Sequence, residues 1–158
     1  MMVYIGCYTD AEHTNGIFAA EVDARSGAME VVSAYPVENA IYLAWSPDRR
    51  WLYSCERSGL VAFAAGADGK LVETDRLNLG MRCICHLSVA ADGSRVFFAE
   101  YVAGKAGSVA VKDGKFVYVG DEAGLSAFEG EVTDLGGKFI MPGIIDSHVH
   151  VGTGVGFE

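Results

Sequence analysis

Apolar and polar residues alternate along most of this chain in short runs, the two-residue period expected of half-buried β-strands. The clearest run, LAWSPDRRWLYSCE at positions 43–56, returns 44 positions later as LSVAADGSRVFFAE. Leu43 falls on Leu87, Asp48 on Asp92, Leu52 on Val96, Tyr53 on Phe97 and Glu56 on Glu100. Each copy reads as a strand (42–46 and 86–90), a turn holding an acidic residue, and a second strand (51–55 and 95–99). Asp92-Gly93 is a hairpin signal, and Pro47-Asp48 opens the turn of the first copy.

The repeat extends further in both directions. Positions 59–63, GLVAF, supply a third strand that positions 108–111, SVAV, echo, and DGKLV at 68–72 returns 45 positions later as DGKFV at 113–117. Upstream, VYIG at 3–6 and GIF at 16–18 resemble the second and third strands of an earlier copy, followed by a turn at 24–27 and a strand at 29–34. Self-similarity at roughly 40–45 residues in strand-like segments marks propeller blades. The fold expected is therefore mainly β: two to two-and-a-half antiparallel propeller-like blades, followed by a short β-rich segment with one short helix.

Composition narrows the setting without changing the fold. The chain has 158 residues, 51% of them apolar, which suffices for a core, and its twenty glycines suit many short strands joined by tight turns. A net charge of −9 with 12 Lys and Arg argues against a nucleic-acid surface. No apolar run approaches the ~18–20 residues of a membrane span, and no basic-then-apolar leader opens the chain, so a soluble cytoplasmic protein is expected. Cys7 and Cys55 lie in apolar strands, and Cys83-Ile84-Cys85 is one residue short of a Cys-x-x-Cys pair. All four cysteines are read as reduced structural thiols.

The segments VYIGCYTD, GIFAAEVDARSGAME, YLAWSPDRRWLYSCE, GLVAFAAGADGKLV and CHLSVAADGSRVFFAEY together resemble the opening blades of the seven-bladed propeller lactonases, the 6-phosphogluconolactonase-like group, over about residues 2–111. That resemblance points to His86, ahead of the Ser88-Val89 pair, as the candidate catalytic residue near a central pocket. The arginines and glutamates that would assist it belong to later blades. Read without the resemblance, His86 is a histidine at a strand start, partly buried and hydrogen-bonded. Opening a lactone needs groups that hold the substrate and polarise its carbonyl, which one imidazole does not supply.

After Val111 the vocabulary changes. SVAVKDGKFVYVGDEAGLSAFEGEVTDLGGKFIMPGIIDSHVH resembles the start of a metal-dependent amidohydrolase over about residues 107–158, with a hairpin, a short helix at 121–128, and the His-x-His of a first barrel strand. His148 and His150 are the candidate metal ligands. Residues i and i+2 of a strand share a face, so the two imidazoles converge with Asp146 beside them. The resemblance implies zinc or a similar ion that activates water. The other ligands of that family lie on later barrel strands, and eight residues follow His150 where a whole barrel takes about 250. Weak zinc binding without hydrolysis is the expectation; two exposed histidines are the plainer reading.

The chain thus reads as 1–111, a partial lactonase-like propeller, joined between positions 104 and 115 to 112–158, a truncated amidohydrolase-like segment. An engineered chimera, a natural fusion and a truncated frame all fit that order. Lys112 to Gly120 satisfies both patterns, and short-range closure favours pairing with the blade. Functionally the chain is either a hydrolase-derived fragment with little activity of its own or a non-catalytic β-rich module. An open blade stack leaves edges and apolar faces unpaired, so a homo-oligomer or an aggregation-prone monomer is expected, with no nucleic acid or membrane partner and a small lactone or amide as substrate by resemblance alone.

Overall fold

The computed structural model describes residues 1–118, which form eleven strands and no helix. They are β1 Met2–Gly6, β2 Ile17–Val22, β3 Met29–Tyr35, β4 Leu43–Trp45, β5 Trp51–Cys55, β6 Gly59–Ala65, β7 Leu71–Asn78, β8 Ile84–Val89, β9 Arg95–Glu100, β10 Lys105–Lys112 and β11 Lys115–Tyr118. Three antiparallel meanders result: β1 to β3, β4 to β7, and β8 to β11. The two repeats are the two four-stranded sheets, in the same strand order, and the partial upstream copy is a three-stranded sheet. The helix expected at 121–128 lies outside the described residues.

Repetition reaches down to single hydrogen bonds. In the first copy the Arg49 amide donates to the Ser46 carbonyl and the Ser46 amide to the Trp51 carbonyl, both at 2.9 Å. Forty-four positions on, Gly93 donates to Ala90 at 2.8 Å and Ala90 to Arg95 at 2.9 Å. Arg49 sits at φ 57° where the second copy has a glycine at φ 76°. The acidic residue of each turn secures it: the Asp48 carboxylate accepts the Arg50 amide at 3.1 Å, and Asp92 accepts the Ser94 amide at 2.9 Å.

Strand alternation divides the core into two layers. Leu52, Val61 and Phe63 face the first sheet and pack with Ile17, Val37, Ala40 and Leu71. Their chain neighbours Tyr53, Leu60 and Ala62 face the third sheet and pack with Ile84, Leu87, Val96, Phe98, Val109 and Val111. Polar bonds fasten each layer at its rim. Tyr4 Oη donates to the Gly69 carbonyl at 2.7 Å and the Leu71 amide to Tyr35 Oη at 2.8 Å, tying the first sheet to the second. Thr74 Oγ1 donates to the Gly114 carbonyl and the Phe116 amide to an Asp75 carboxylate oxygen, both at 2.8 Å, tying β7 to β11.

The segment shared by the two resemblances joins the blade. Val111 pairs with Phe116 and Lys112 with Lys115, around a two-residue turn in which Asp113 and Gly114 both have positive φ, 50° and 69°. Those angles match the primed turn that suits the twist of a hairpin. The turn packs beneath Trp51: a Cβ on Gly114 would lie 2.2 Å from its ring. Gly27, at φ 74°, has nothing within 4 Å of the same position.

The two glycines therefore separate backbone strain from crowding. Gly27→Ala is expected to cost about 1–2 kcal/mol for the left-handed φ. Gly114→Ala bears the same strain plus an overpacking penalty of about 1–3 kcal/mol at the Trp51 contact. Urea unfolding at matched protein concentration measures both, and equal losses would show that the turn does not bear on the second sheet.

Candidate active site

The edge strand β8 of the third sheet carries the histidine singled out above. A register shift between Ile84, paired with Glu100, and His86, paired with Ala99, leaves Cys85 as a bulge in β8. This extra residue lets Ile84 and Leu87 both enter the core despite their odd spacing, and His86 is left exposed. Its ring lies against Tyr42, just ahead of β4, with centroids 4.5 Å apart and planes inclined at 49°. It makes no hydrogen bond or ion pair with any described residue, so the partly buried, hydrogen-bonded histidine read from sequence is not what the fold presents.

A second feature is a polar cleft of about 630 Å³ built by connections rather than strands. Thr9, Asp10 and Thr14 come from the β1–β2 loop, Glu38 and Asn39 from the link between the first two sheets, Arg57 from the β5–β6 turn, and Arg82 from the link into β8. Asn39 Oδ1 accepts the Thr9 amide at 2.9 Å, and Arg57 donates to Glu38 at 2.7 Å. Asp10 accepts the His13 and Glu12 amides, which hold its carboxyl below the ordinary range. His86 does not line this cleft. Sequence reasoning passed over Arg57, Arg82 and Glu38 because loop residues carry no periodicity; their one signal is position, next to the strand ends of each repeat.

Behind these connections the repeat-related glutamates are both buried and differently satisfied. Glu56, at 8% exposure, accepts from Arg76, and burial pushes its carboxyl up against the pull of that guanidinium. Arg76 in turn is held above its ordinary value, first by its bond to Glu73 and then by Glu56. Glu100, at 3% exposure, has no ion-pair partner among the described residues. Burial acts to raise its carboxyl, but the amides of Ala103 at 2.6 Å, Val102 at 3.1 Å and Cys83 at 3.2 Å together hold it below the ordinary value.

Among the described residues no three His, Cys, Asp or Glu side chains gather as a metal ion would require. The expected ligands His148 and His150, with Asp146, lie outside the described residues. Of the four cysteines, all free, Cys55 is fully buried, and burial pushes its thiol up to about 11, as befits a packing residue.

The family model for "Lactonase, 7-bladed beta-propeller" matches residues 2–117. The chain belongs to the seven-bladed β-propeller lactonases. A periplasmic gluconolactonase of Pseudomonas aeruginosa superposes with a TM-score of 0.67 at 20% identity, over 73% of this chain and 36% of its own. A proposed 6-phosphogluconolactonase of Bacteroides fragilis gives 0.64 at 22% identity, over 73% of this chain and 34% of its own. These likenesses support the fold. The second resemblance is present too: an adenine deaminase of Paracoccus denitrificans is 48% identical over 48 residues, 30% of this chain and 8% of its own length. An imidazolonepropionase of Sphingopyxis alaskensis is 44% identical over 45 residues, 28% of this chain and 11% of its own length. Both are amidohydrolases, so hydrolase ancestry holds for this lactonase-family chain on two counts. It spans about a tenth of these curated relatives and about a third of the solved lactonases.

Glu100 makes the lactonase sheet pH-dependent in a defined direction. An unfolded glutamate titrates near about 4.3; the folded carboxyl titrates lower, so its contribution is complete above that value and is lost as pH falls through the folded one. Glu100→Gln should lower the urea midpoint at pH 7, with the gap from wild type closing towards pH 3. A gap of the same size at both pH values would mean that the carboxylate charge is not what the amides hold.

Proposed function

We propose that this chain is a hydrolase-derived protein whose lactonase part, residues 1–111, turns over little or no lactone by itself, joined to an amidohydrolase-like segment, residues 112–158, that turns over little or no amide. The observation that carries this reading is the isolation of His86. Lactone opening needs a base that activates water and donors that stabilise the developing oxyanion, placed within hydrogen-bond reach of the same carbonyl. His86 has an aromatic neighbour, Tyr42, and no acid or guanidinium bonded to it among the described residues. On this reading His86 marks the place where a small lactone would be addressed once other groups complete the site.

The donor set of the second segment is equally short. By sequence, His148 and His150 would supply two ligands and Asp146 a nearby carboxylate, whereas a catalytic zinc has three protein ligands and an open water position. Zinc bound there is held weakly and supplies no activated water that this chain can use. Free thiols at Cys7, Cys55, Cys83 and Cys85 suit a reducing cytoplasm. The net charge of −9 does not suit nucleic acid or an anionic membrane.

A second reading, a non-catalytic self-associating module, is favoured by apolar side chains left open on the outer sheets, Val31 at 56% exposure and Phe97 at 44%. The two readings are compatible, and together they describe a homo-oligomer without turnover.

Lactone and amide hydrolysis by the purified chain should match the buffer rate and stay unchanged in His86→Ala. Loss of a measurable rate by tenfold or more in His86→Ala would establish His86 as catalytic and overturn the proposal. Zinc should be removed by gel filtration from wild type as readily as from His148→Ala and His150→Ala. Stoichiometric zinc that survives in wild type alone, together with turnover, would show a completed metal centre.

A further inference from the structure

The polar cleft is walled by connections that are tied to one another. Thr9 and Asn39 are bonded in both directions: Asn39 Oδ1 accepts the Thr9 amide at 2.9 Å, and Thr9 Oγ1 accepts the Asn39 amide at 3.1 Å. Asn39 makes these bonds at φ 55°, a left-handed conformation uncommon outside glycine. Glu38 and Arg57 are also bonded twice, the Arg57 amide donating to the Glu38 carbonyl at 2.9 Å and its guanidinium to the Glu38 carboxylate at 2.7 Å. The β1–β2 loop, the link after the first sheet and the β5–β6 turn are thereby held as one preformed rim.

Two charged groups on this rim keep bonding capacity. On the β1–β2 loop, Asp10 Oδ1 accepts the Glu12 and His13 amides at 2.9 and 2.7 Å, and these amides favour the ionised carboxyl. Oδ2 is left with the His13 ring alone, at 3.2 Å. On the link into β8, the exposed Arg82 guanidinium has no hydrogen bond or ion pair with any described residue. Asn39 Nδ2 is likewise unused among the described residues, since Oδ1 makes the contacts to Thr9. The four charges that line the cleft, Asp10 and Glu38 against Arg57 and Arg82, cancel.

That balance selects among ligands. A phosphate or a sugar acid drawn to Arg82 would meet Asp10 and Glu38, and like charges brought together cost affinity. A simple cation would meet the two guanidiniums in the same way. A molecule with an ammonium at one end and a carboxylate at the other satisfies both available groups by charge-assisted hydrogen bonds. The volume of about 630 Å³ is room for a drug-sized ligand, larger than a single amino acid. Tyr8, next to Thr9, is 73% exposed, and Tyr101, whose amide donates to the Cys83 carbonyl beside Arg82, is 78% exposed. An aromatic ring therefore stands close in the chain to each wall, where an apolar side chain of the ligand can rest.

We propose that this cleft binds a short peptide, of about two or three residues by its volume, through the free ends: the ammonium on Asp10 and the carboxylate on Arg82, with Asn39 Nδ2 donating to a peptide carbonyl. The site is separate from His86, which does not line the cleft, and it is independent of turnover by either hydrolase segment.

The test is an NMR titration of the isotope-labelled full chain with trialanine. Wild type should bind it saturably, with the largest shifts at the amides of Thr9, Asn39 and Arg82. Arg82→Gln and Asp10→Asn should each raise the dissociation constant about tenfold or more, as one charge-assisted hydrogen bond is lost. Asp10→Asn retains a carbonyl oxygen for the Glu12 and His13 amides, and far-UV circular dichroism confirms that both variants are folded. Capped peptides identify the two ends without altering the protein, and they decide the matter if Asp10→Asn does not fold. N-acetyl-trialanine should bind wild type about tenfold more weakly and lose nothing further in Asp10→Asn, and trialanine amide should behave in the same way with Arg82→Gln. Free alanine, gluconate and inorganic phosphate should all bind more weakly than trialanine. Tighter binding of gluconate or phosphate would make the cleft an anion site and overturn the proposal. So would tighter binding of alanine, shifts that map away from the cleft, indifference to both substitutions and both caps, or the absence of saturable binding.

Discussion

The structure depends on the alternation of side chains along its strands. Because Leu52 and Tyr53 are adjacent in β5, they point to opposite faces of the second sheet, and both are apolar and almost fully buried. A sheet that is apolar on both faces is stable only between two others. That requirement sets the sheets in a row, divides the core into two layers on either side of β5 and β6, and gives the outer sheets an apolar surface of their own.

Stacking alone would permit sheets to slide, and the bonds at the layer rims oppose this. They run from side chains of one sheet to main-chain groups at hairpin turns of the next: Tyr4 to Gly69, Leu71 to Tyr35, Thr74 to Gly114. Turn geometry and sheet packing thus specify each other, since Gly114 must take a left-handed conformation for the hairpin and must lack a side chain beneath Trp51. Glu56 and Glu100 show the latitude that remains. The same repeat position meets Arg76 in one blade and a set of loop amides in the other, and the carboxyl is displaced in opposite directions.

A propeller separates what holds it together from what can act chemically. The layers are closed to solvent, so exposed polar chemistry collects on the edge strand β8 and on the connections, where His86 and the cleft around Glu38, Arg57 and Arg82 are found. Hydrolase ancestry is visible in the family match. This chain spans about a third of the length of its solved structural relatives.

The architecture was legible in the sequence because it repeats. Asp48 on Asp92, Leu52 on Val96 and Gly69 on Gly114 fall into register without knowledge of any contact, and alternation assigns each strand its two faces. The same arithmetic placed Lys115–Tyr118 beside β10, since a two-residue turn leaves its strands no other near partner. What it did not reveal was the bulge at Cys85, which depends on Ile84 and Leu87 both finding space against the second sheet and which sets the exposure of His86. Nor did it reveal the cleft, because Asp10, Glu38, Arg57 and Arg82 belong to four separate connections that only the stacking of sheets brings together. Local period is written in the order of residues; the meeting of distant loops is decided by how the sheets pack.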